Sequence, residues 1–151
     1  MQKLNLPEYN FRIKNVNGSP YILDTIRSKF IFLTPEEWVR QNFIQYLIQE
    51  KDFPASLLSV ETELKLNGMS RRTDILAHNK EGKSNVIVEC KRPSVKISQA
   101  TFDQITRYNI VYKVNYLIVT NGLNHYCCFV DNEKNEVSFL KDIPNYKDIT
   151  T

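Results

Sequence analysis

Two short segments without a polar residue, Val86-Ile87-Val88 and Leu117-Ile118-Val119, stand on either side of an amphipathic stretch from Ser98 to Tyr112. A strand that is apolar on both faces belongs in the middle of a sheet, covered from above and below. The spacing therefore predicts strands over Asn85 to Lys91 and Asn115 to Thr120 with a helix between them. Such a passage implies parallel pairing with a right-handed crossover. The fold class that follows is α/β, a central mixed sheet flanked by helices.

The remaining punctuation fills in that sheet. Thr34-Pro35-Glu36-Glu37 is a helix start, with Thr34 as N-cap, Pro35 at the first helical position and Glu37 placed for a capping box. Trp38, Val39, Phe43, Ile44, Leu47 and Ile48 recur at helical spacing, so a helix burying one face is expected to run to about Glu50 and stop before Phe53-Pro54. After a turn of helix near Ala55 to Leu58, Val60 to Leu66 and Arg72 to His78 read as strands around an Asn67-Gly68 hairpin turn. His125 to Asp131 and Glu136 to Leu140 complete the sheet edge. Near the N-terminus, Phe11 to Ile13 and Tyr21 to Leu23 flank Asn17-Gly18-Ser19-Pro20 and predict a β hairpin whose role is packing.

At 151 residues the chain suits one domain with a real core. Its expected organisation is an N-terminal hairpin extension over 1–33, a core over 34–122, and a sheet-edge hairpin and tail over 123–151. No stretch approaches the roughly 20 apolar residues of a membrane span, and the N-terminal Met1 to Pro7 lacks a signal-peptide pattern, so a cytoplasmic protein with no membrane partner is expected. Three cysteines, two of them adjacent, form neither a disulfide framework nor a Cys-x-x-Cys pair. The net charge of +3 tolerates a polyanionic partner without identifying one.

The chemistry-bearing residues are Asp74 and, fourteen residues further on, Glu89-Cys90-Lys91. Side chains alternate along a strand, so Glu89 and Lys91 share one face while Cys90 points the other way into the core. Magnesium is held by one or two carboxylates and takes its other ligands from water and substrate phosphates. Asp74 and Glu89 are candidate ligands for it, with manganese as a substitute, and Lys91 is placed to orient a water or to meet charge on a phosphate. Glu-x-Lys alone is common in chains of this length. Its weight here comes from placement, since an acid leads one strand and the acid-x-lysine ends the next, followed by Pro93 and a helix.

This constellation resembles the PD-(D/E)xK nuclease superfamily, with the restriction-endonuclease-like core, and is most similar to the N-terminal nuclease domain of type I restriction enzyme R subunits. Thr34 to Gln41 is similar to that family's opening helix, Arg71-Arg72-Thr73-Asp74-Ile75 to its first acidic motif, and Val88-Glu89-Cys90-Lys91-Arg92-Pro93 to its second. Gln104-Ile105-Thr106-Arg107-Tyr108 is similar to the Gln-x-x-x-Tyr element on the crossover helix of the superfamily's recombination-nuclease branch, which would put Gln104 and Tyr108 on one helical face as supporting residues. Thr120-Asn121-Gly122 resembles the later strand end.

The resemblance implies a magnesium-dependent DNA endonuclease of restriction type. Asp74, Glu89 and Lys91 would be catalytic, and the backbone carbonyl of Cys90 a further metal ligand. Glu37 corresponds to an acid that often completes the metal site, and a helix-cap role competes with that one evenly. Arg71, Arg72, Arg92 and Arg107 are candidates for gripping the DNA backbone. Motor, methylation or specificity subunits of a restriction system are the implied partners. The chain departs from the family's pattern in having Thr73 where the naming proline stands, and in carrying no translocation motor. The rival readings are a noncatalytic DNA-binding or assembly module and an RNA-processing nuclease. The phosphate-loop-like run Ala77 to Ser84 is set aside, because a strand rather than a helix should follow it.

Overall fold

The computed structural model describes residues 1–149 apart from Asn67, and gives only the backbone of Leu66, Met69, Arg71, Tyr108 and Ile110. The elements in chain order are β1 (Ile13–Val16), β2 (Ser19–Asp24), β3 (Lys29–Phe32), α1 (Pro35–Glu50), β4 (Leu58–Leu66), β5 (Met69–His78), β6 (Ser84–Cys90), α2 (Gln99–Asn109), β7 (Tyr116–Thr120), β8 (His125–Asp131), β9 (Glu136–Leu140) and α3 (Tyr146–Ile149). They form two sheets. The larger has the order β4-β5-β6-β7-β8-β9, and the smaller is the meander β1-β2-β3.

Among the described residues of the large sheet only β6 and β7 run parallel, with Val88 opposite Ile118 and Cys90 opposite Thr120. The α2 crossover between them is the connection that two doubly apolar strands require. On one face Ile75, Val86, Val88, Cys90 and Ile118 pack with Phe43, Ile44 and Leu47 of α1. On the other, Leu76, Ile87, Leu117, Val119 and Cys128 pack with Phe102 of α2. Both sides of β6 are thus covered, and the burial of these side chains is the main term stabilising the sheet. All three cysteines are buried and free.

Helix α1 begins as its sequence dictates. Thr34 accepts from the Glu37 amide at 3.1 Å and Pro35 occupies the first turn. The return half of the capping box is replaced, because the Glu37 carboxylate turns inward to Arg40 and Gln41. The helix also departs from the expectation of a single buried face: Glu37, Arg40, Gln41 and Asn42 are buried beside Val39, Phe43, Ile44 and Leu47. The small sheet accounts for part of this burial, since Asp24 of β2, fully enclosed, accepts from Gln41 Nε2 at 2.9 Å.

Three elements differ from the sequence expectation. The N-terminal hairpin has a third strand, β3, paired antiparallel to β2 with Tyr21 opposite Phe32. The tail forms the short helix α3, whose Tyr146 hydroxyl donates to the His78 carbonyl at 2.9 Å while its ring packs edge-on against Phe53. The extended N-terminus docks on the β7–β8 turn, where the Asn5 amide donates to Gly122 O at 2.8 Å. Gly122 has a φ of +84°, and a Cβ there would lie 2.7 Å from Leu4 Cδ2, so both the turn and the docking need glycine. The Asn67 part of the expected Asn67-Gly68 turn lies outside the described residues. Among those described, no helix is long and apolar enough to cross a membrane.

Candidate active site

The ladder between β5 and β6 ends at Ile75 opposite Val88. One step beyond on each strand stand Asp74 and Glu89, so the two carboxylates lie at the mouth of a fork where the strands part. The fork is held from within by a side chain. Asp74 Oδ2 accepts the Cys90 amide at 2.8 Å, taking the role that a backbone carbonyl plays further down the ladder. Lys91 anchors the other side, its amide donating to Thr120 O at 2.8 Å, and its Nζ lies 3.6 Å from Glu89 Oε1. Asp74, Glu89, Cys90 and Lys91 are therefore gathered at one place.

Behind this fork lies a buried ionic network that the sequence did not disclose. Arg40 of α1, with 6% of its side chain exposed, donates from Nη2 to Asp74 Oδ1 at 2.7 Å and forms an ion pair with Glu61 Oε1 at 2.9 Å. Its Nη1 lies 2.5 Å from Glu37 Oε1. The far oxygen of Glu37 accepts from Gln41 at 2.9 Å and from Arg27 at 3.3 Å, and Arg27 and Gln41 both reach Asp24. One guanidinium thus fixes three carboxylates, which its planar fork of donors permits and an ammonium would not. Burial works against the charged guanidinium, and hydrogen bonding and attraction from Asp74 and Glu37 outweigh it, so its pKa is raised.

Glu61 is placed by an unusual backbone. Its φ is +56° in the middle of β4, between the regular pairs Val60–Ile75 and Thr62–Thr73. A non-glycine residue in this left-handed conformation costs roughly 1–2 kcal/mol, and the Arg40 contact is what that conformation delivers. Arg72 approaches the other Glu61 oxygen at 3.3 Å. Thr73 is buried and donates its hydroxyl to the Thr62 carbonyl at 2.9 Å.

The two adjacent glutamates at the start of α1 differ in their surroundings. Glu37 is buried, and both of its oxygens are engaged by Arg40, Gln41 and Arg27. Glu36 is the one whose carboxyl senses the fork. Its pKa is pushed up first by burial and then by the Asp74 carboxylate, with Arg40 and Lys91 pulling it down and Glu61 adding to the rise. The Cys90 thiol is pushed well above its ordinary range, by burial and then by Asp74, so it stays protonated within the core.

The outer candidates are more dispersed. Arg72, Arg92 and Arg107 are exposed, on β5, just past β6 and on α2 respectively. Gln104 is exposed on α2. The side chains of Arg71 and Tyr108 lie outside the described residues. Beyond Thr120, Asn121 donates from Nδ2 to the Val95 carbonyl at 2.8 Å and accepts from the Leu123 and Asn124 amides, tying the loop after Lys91 to the end of β7.

Among the described residues, no group of three or more His, Cys, Asp or Glu side chains is arranged to hold a metal ion. The donor set is a hard one, oxygen only; burial is the first cause of the raised Glu36 pKa, with Asp74 and Glu61 adding to it and Arg40 and Lys91 opposing it. A cation that takes few protein carboxylates and completes its shell with water and phosphate oxygens suits such a place, and magnesium is of that kind.

A mixed six-stranded sheet flanked by helices, with acid and acid-x-lysine strands adjoining at its centre, defines an α/β domain of restriction-enzyme type. A solved fragment of a putative HsdR subunit of a type I restriction enzyme from Vibrio vulnificus YJ016 shares the fold, with a TM-score of 0.54 at 17% identity over 78% of this chain. Residues 35–144 match the family described as the type I restriction enzyme R protein N terminus, and the chain belongs to that family. It spans 24% of the Vibrio chain. No curated protein matches it.

Proposed function

We propose that the chain is a magnesium-dependent deoxyribonuclease that hydrolyses phosphodiester bonds at the β5–β6 fork. The observation carrying this reading is the fixing of Asp74 between Arg40 Nη2 and the Cys90 amide, next to the Glu89–Lys91 pair. A carboxylate needed only for a surface ion pair has no use for two directional donors from separate elements. A carboxylate that must hold a fixed geometry has.

In this reading Asp74, Glu89 and the backbone carbonyl of Cys90 hold the ion, and manganese can replace it. Bound there, the ion would supply a water of lowered pKa and neutralise charge on the scissile phosphate. Lys91, on the same strand face as Glu89, positions the attacking water or meets the charge growing on phosphorus-bound oxygen. Arg40 and the Cys90 amide keep Asp74 in place. Arg72, Arg92 and Arg107, together with Arg71, supply contacts to the DNA backbone, and Gln104 and Tyr108 support the strand bearing Glu89. The chain acts in the cytoplasm as the cutting domain of a restriction system, alongside motor, methylation or specificity subunits. Family membership supports that setting.

The test is nicking of supercoiled plasmid by the wild type, Glu89→Ala and Lys91→Ala with magnesium, manganese or chelator. The wild type should nick with either ion, and both variants and the chelated wild type should fall to background. Equal nicking by wild type and Glu89→Ala would remove the catalytic reading and leave a DNA-binding or assembly module. In calorimetry, Asp74→Asn should weaken magnesium binding.

A further inference from the structure

The outer face of the small N-terminal sheet lies outside the family match, which begins at residue 35. Its register is Lys14 opposite Tyr21, Tyr21 opposite Phe32 and Leu23 opposite Phe30, with the Arg12 carbonyl accepting from the Leu23 amide. Alternation along each strand therefore sets Arg12, Lys14, Tyr21, Leu23, Phe30 and Phe32 on one face. Ile22 and Asp24 point the other way and are fully buried toward α1.

That outer face combines aromatic rings with cations. Phe32 is half exposed and its ring centroid lies 5.7 Å from that of Tyr21. Lys14 Nζ sits 4.1 Å from the Phe30 ring centroid and the Arg12 guanidinium carbon 6.0 Å from it. Among the described residues neither cation enters an ion pair with an acid.

We infer that this face is a stacking platform for single-stranded DNA. The exposed Phe32 ring, with the partly buried Tyr21 beside it, offers a base-sized π surface, and Lys14 and Arg12 over the partly buried Phe30 ring are cations that meet the phosphates joining the bases. A duplex presents phosphates but hides its base faces, so it would use only half of what the face offers. A second copy of the chain is disfavoured, because a two-fold contact through this face would press Arg12 and Lys14 against their own counterparts. The choice of DNA over RNA rests on the nuclease reading; the stacking chemistry does not. The platform is also tied to the candidate active site. From the buried side of the same sheet, Asp24 bonds Gln41, which bonds Glu37, which bonds the Arg40 that holds Asp74.

The experiment is fluorescence anisotropy of a labelled short oligothymidylate, its duplex and its RNA counterpart, all in chelator so that cleavage is silent. Phe32→Ala should weaken single-strand binding about tenfold, the loss of one base stack, and leave duplex binding unchanged. Phe32→Leu, which keeps an apolar side chain and the strand, should show a similar loss, which separates stacking from misfolding. Lys14→Gln should lower the slope of log affinity against log salt by about 0.7, one phosphate contact on a single strand. Undiminished single-strand binding by both Phe32 variants would overturn the proposal, as would equal losses on duplex, tighter binding of the RNA, or binding of phosphatidylserine vesicles in place of the oligonucleotide. A wild type that fails to nick plasmid, with the Phe32 loss intact, would sink the nuclease reading and keep the platform.

Discussion

Replacing Arg40 with methionine keeps most of the stem that packs within α1 and removes the charge that three carboxylates share. Breaking a buried ion pair from one side costs about 3–5 kcal/mol, because the partner is left charged and dry. The partners differ in how far water can rescue them. Asp74 and Glu61 have 14% and 28% of their side chains exposed and can rehydrate, whereas Glu37 at 6% cannot. Glu37 also keeps Gln41 and Arg27 on its second oxygen, which softens the loss. The lower end, about 3 kcal/mol, is therefore expected for Arg40→Met. For a chain of this length each kcal/mol lowers Tm by roughly 2–4 °C, so the fall should be roughly 6–12 °C. Adding Glu37→Gln removes the stranded charge, and the double variant should recover about 1–3 kcal/mol relative to the sum of the singles. Urea unfolding followed by circular dichroism measures both, with an unchanged m-value showing that the folded state stays compact. A cost below about 1 kcal/mol for Arg40→Met, or strict additivity in the double variant, would refute the view that Arg40 is the clamp.

Two further outcomes follow from backbone and protonation. Glu61→Gly loses the Arg40 contact as Glu61→Ala does, yet relieves the left-handed φ, so the glycine variant should be the more stable of the two by about 1 kcal/mol in the same unfolding assay; an alanine variant that equals it would mean that β4 carries no strain there. His125 donates from Nε2 to the Asn5 carbonyl at 2.9 Å and its Nδ1 faces the Thr120 hydroxyl at 2.7 Å, a neutral ring held at both ends. Burial lowers its pKa from 6.5, partly offset by the Asn5 carbonyl. The unfolded chain therefore binds the proton more readily, so this stabilisation is complete above pH 6.5 and is lost as the pH falls below it. Urea midpoints from pH 7.5 to about 5.5 should drop for the wild type more steeply than for His125→Gln, and parallel curves would contradict it.

What the sequence made legible was whatever depends on period and punctuation. Thr34-Pro35 set the start of α1 to the residue, and the doubly apolar β6 and β7 implied their parallel pairing and the α2 crossover. The convergence of Asp74 with Glu89 and Lys91 was readable too, since it needs only that adjacent strands carry them at the same end. Lys29 to Phe32 was not read as a strand, because four residues after a turn have no period of their own and β3 exists by pairing with β2. Polar helix residues ordinarily mark a solvent face, so Arg40 and Gln41 carried no sign that the small sheet and the fork would enclose them. Nothing in a glutamate at position 61 announces a positive φ. That the Glu37 carboxylate turns inward to Arg40 and Gln41 instead of closing a capping box was equally out of reach, since the capping motif does not register those partners.

These misses share one cause, which bears on how the domain works. Asp74 and Glu61 have a meaning only in combination, as charges neutralised by Arg40 from a different element, and Asp24 is enclosed through Gln41 of the helix that carries Arg40. Local propensity cannot register such a partner. Yet the chain of contacts from Asp24 through Gln41, Glu37 and Arg40 to Asp74 joins the N-terminal sheet, the first helix and the central fork. A buried ionic network contributes less net stability than apolar packing of the same volume, and its value lies in direction: each carboxylate is held at a set angle. Directional restraint is of little use to a core and of much use to a carboxylate that must meet a cation and a phosphate together. The placing of this network behind Asp74, rather than elsewhere in the sheet, is therefore what the proposed nuclease reading of the fork requires.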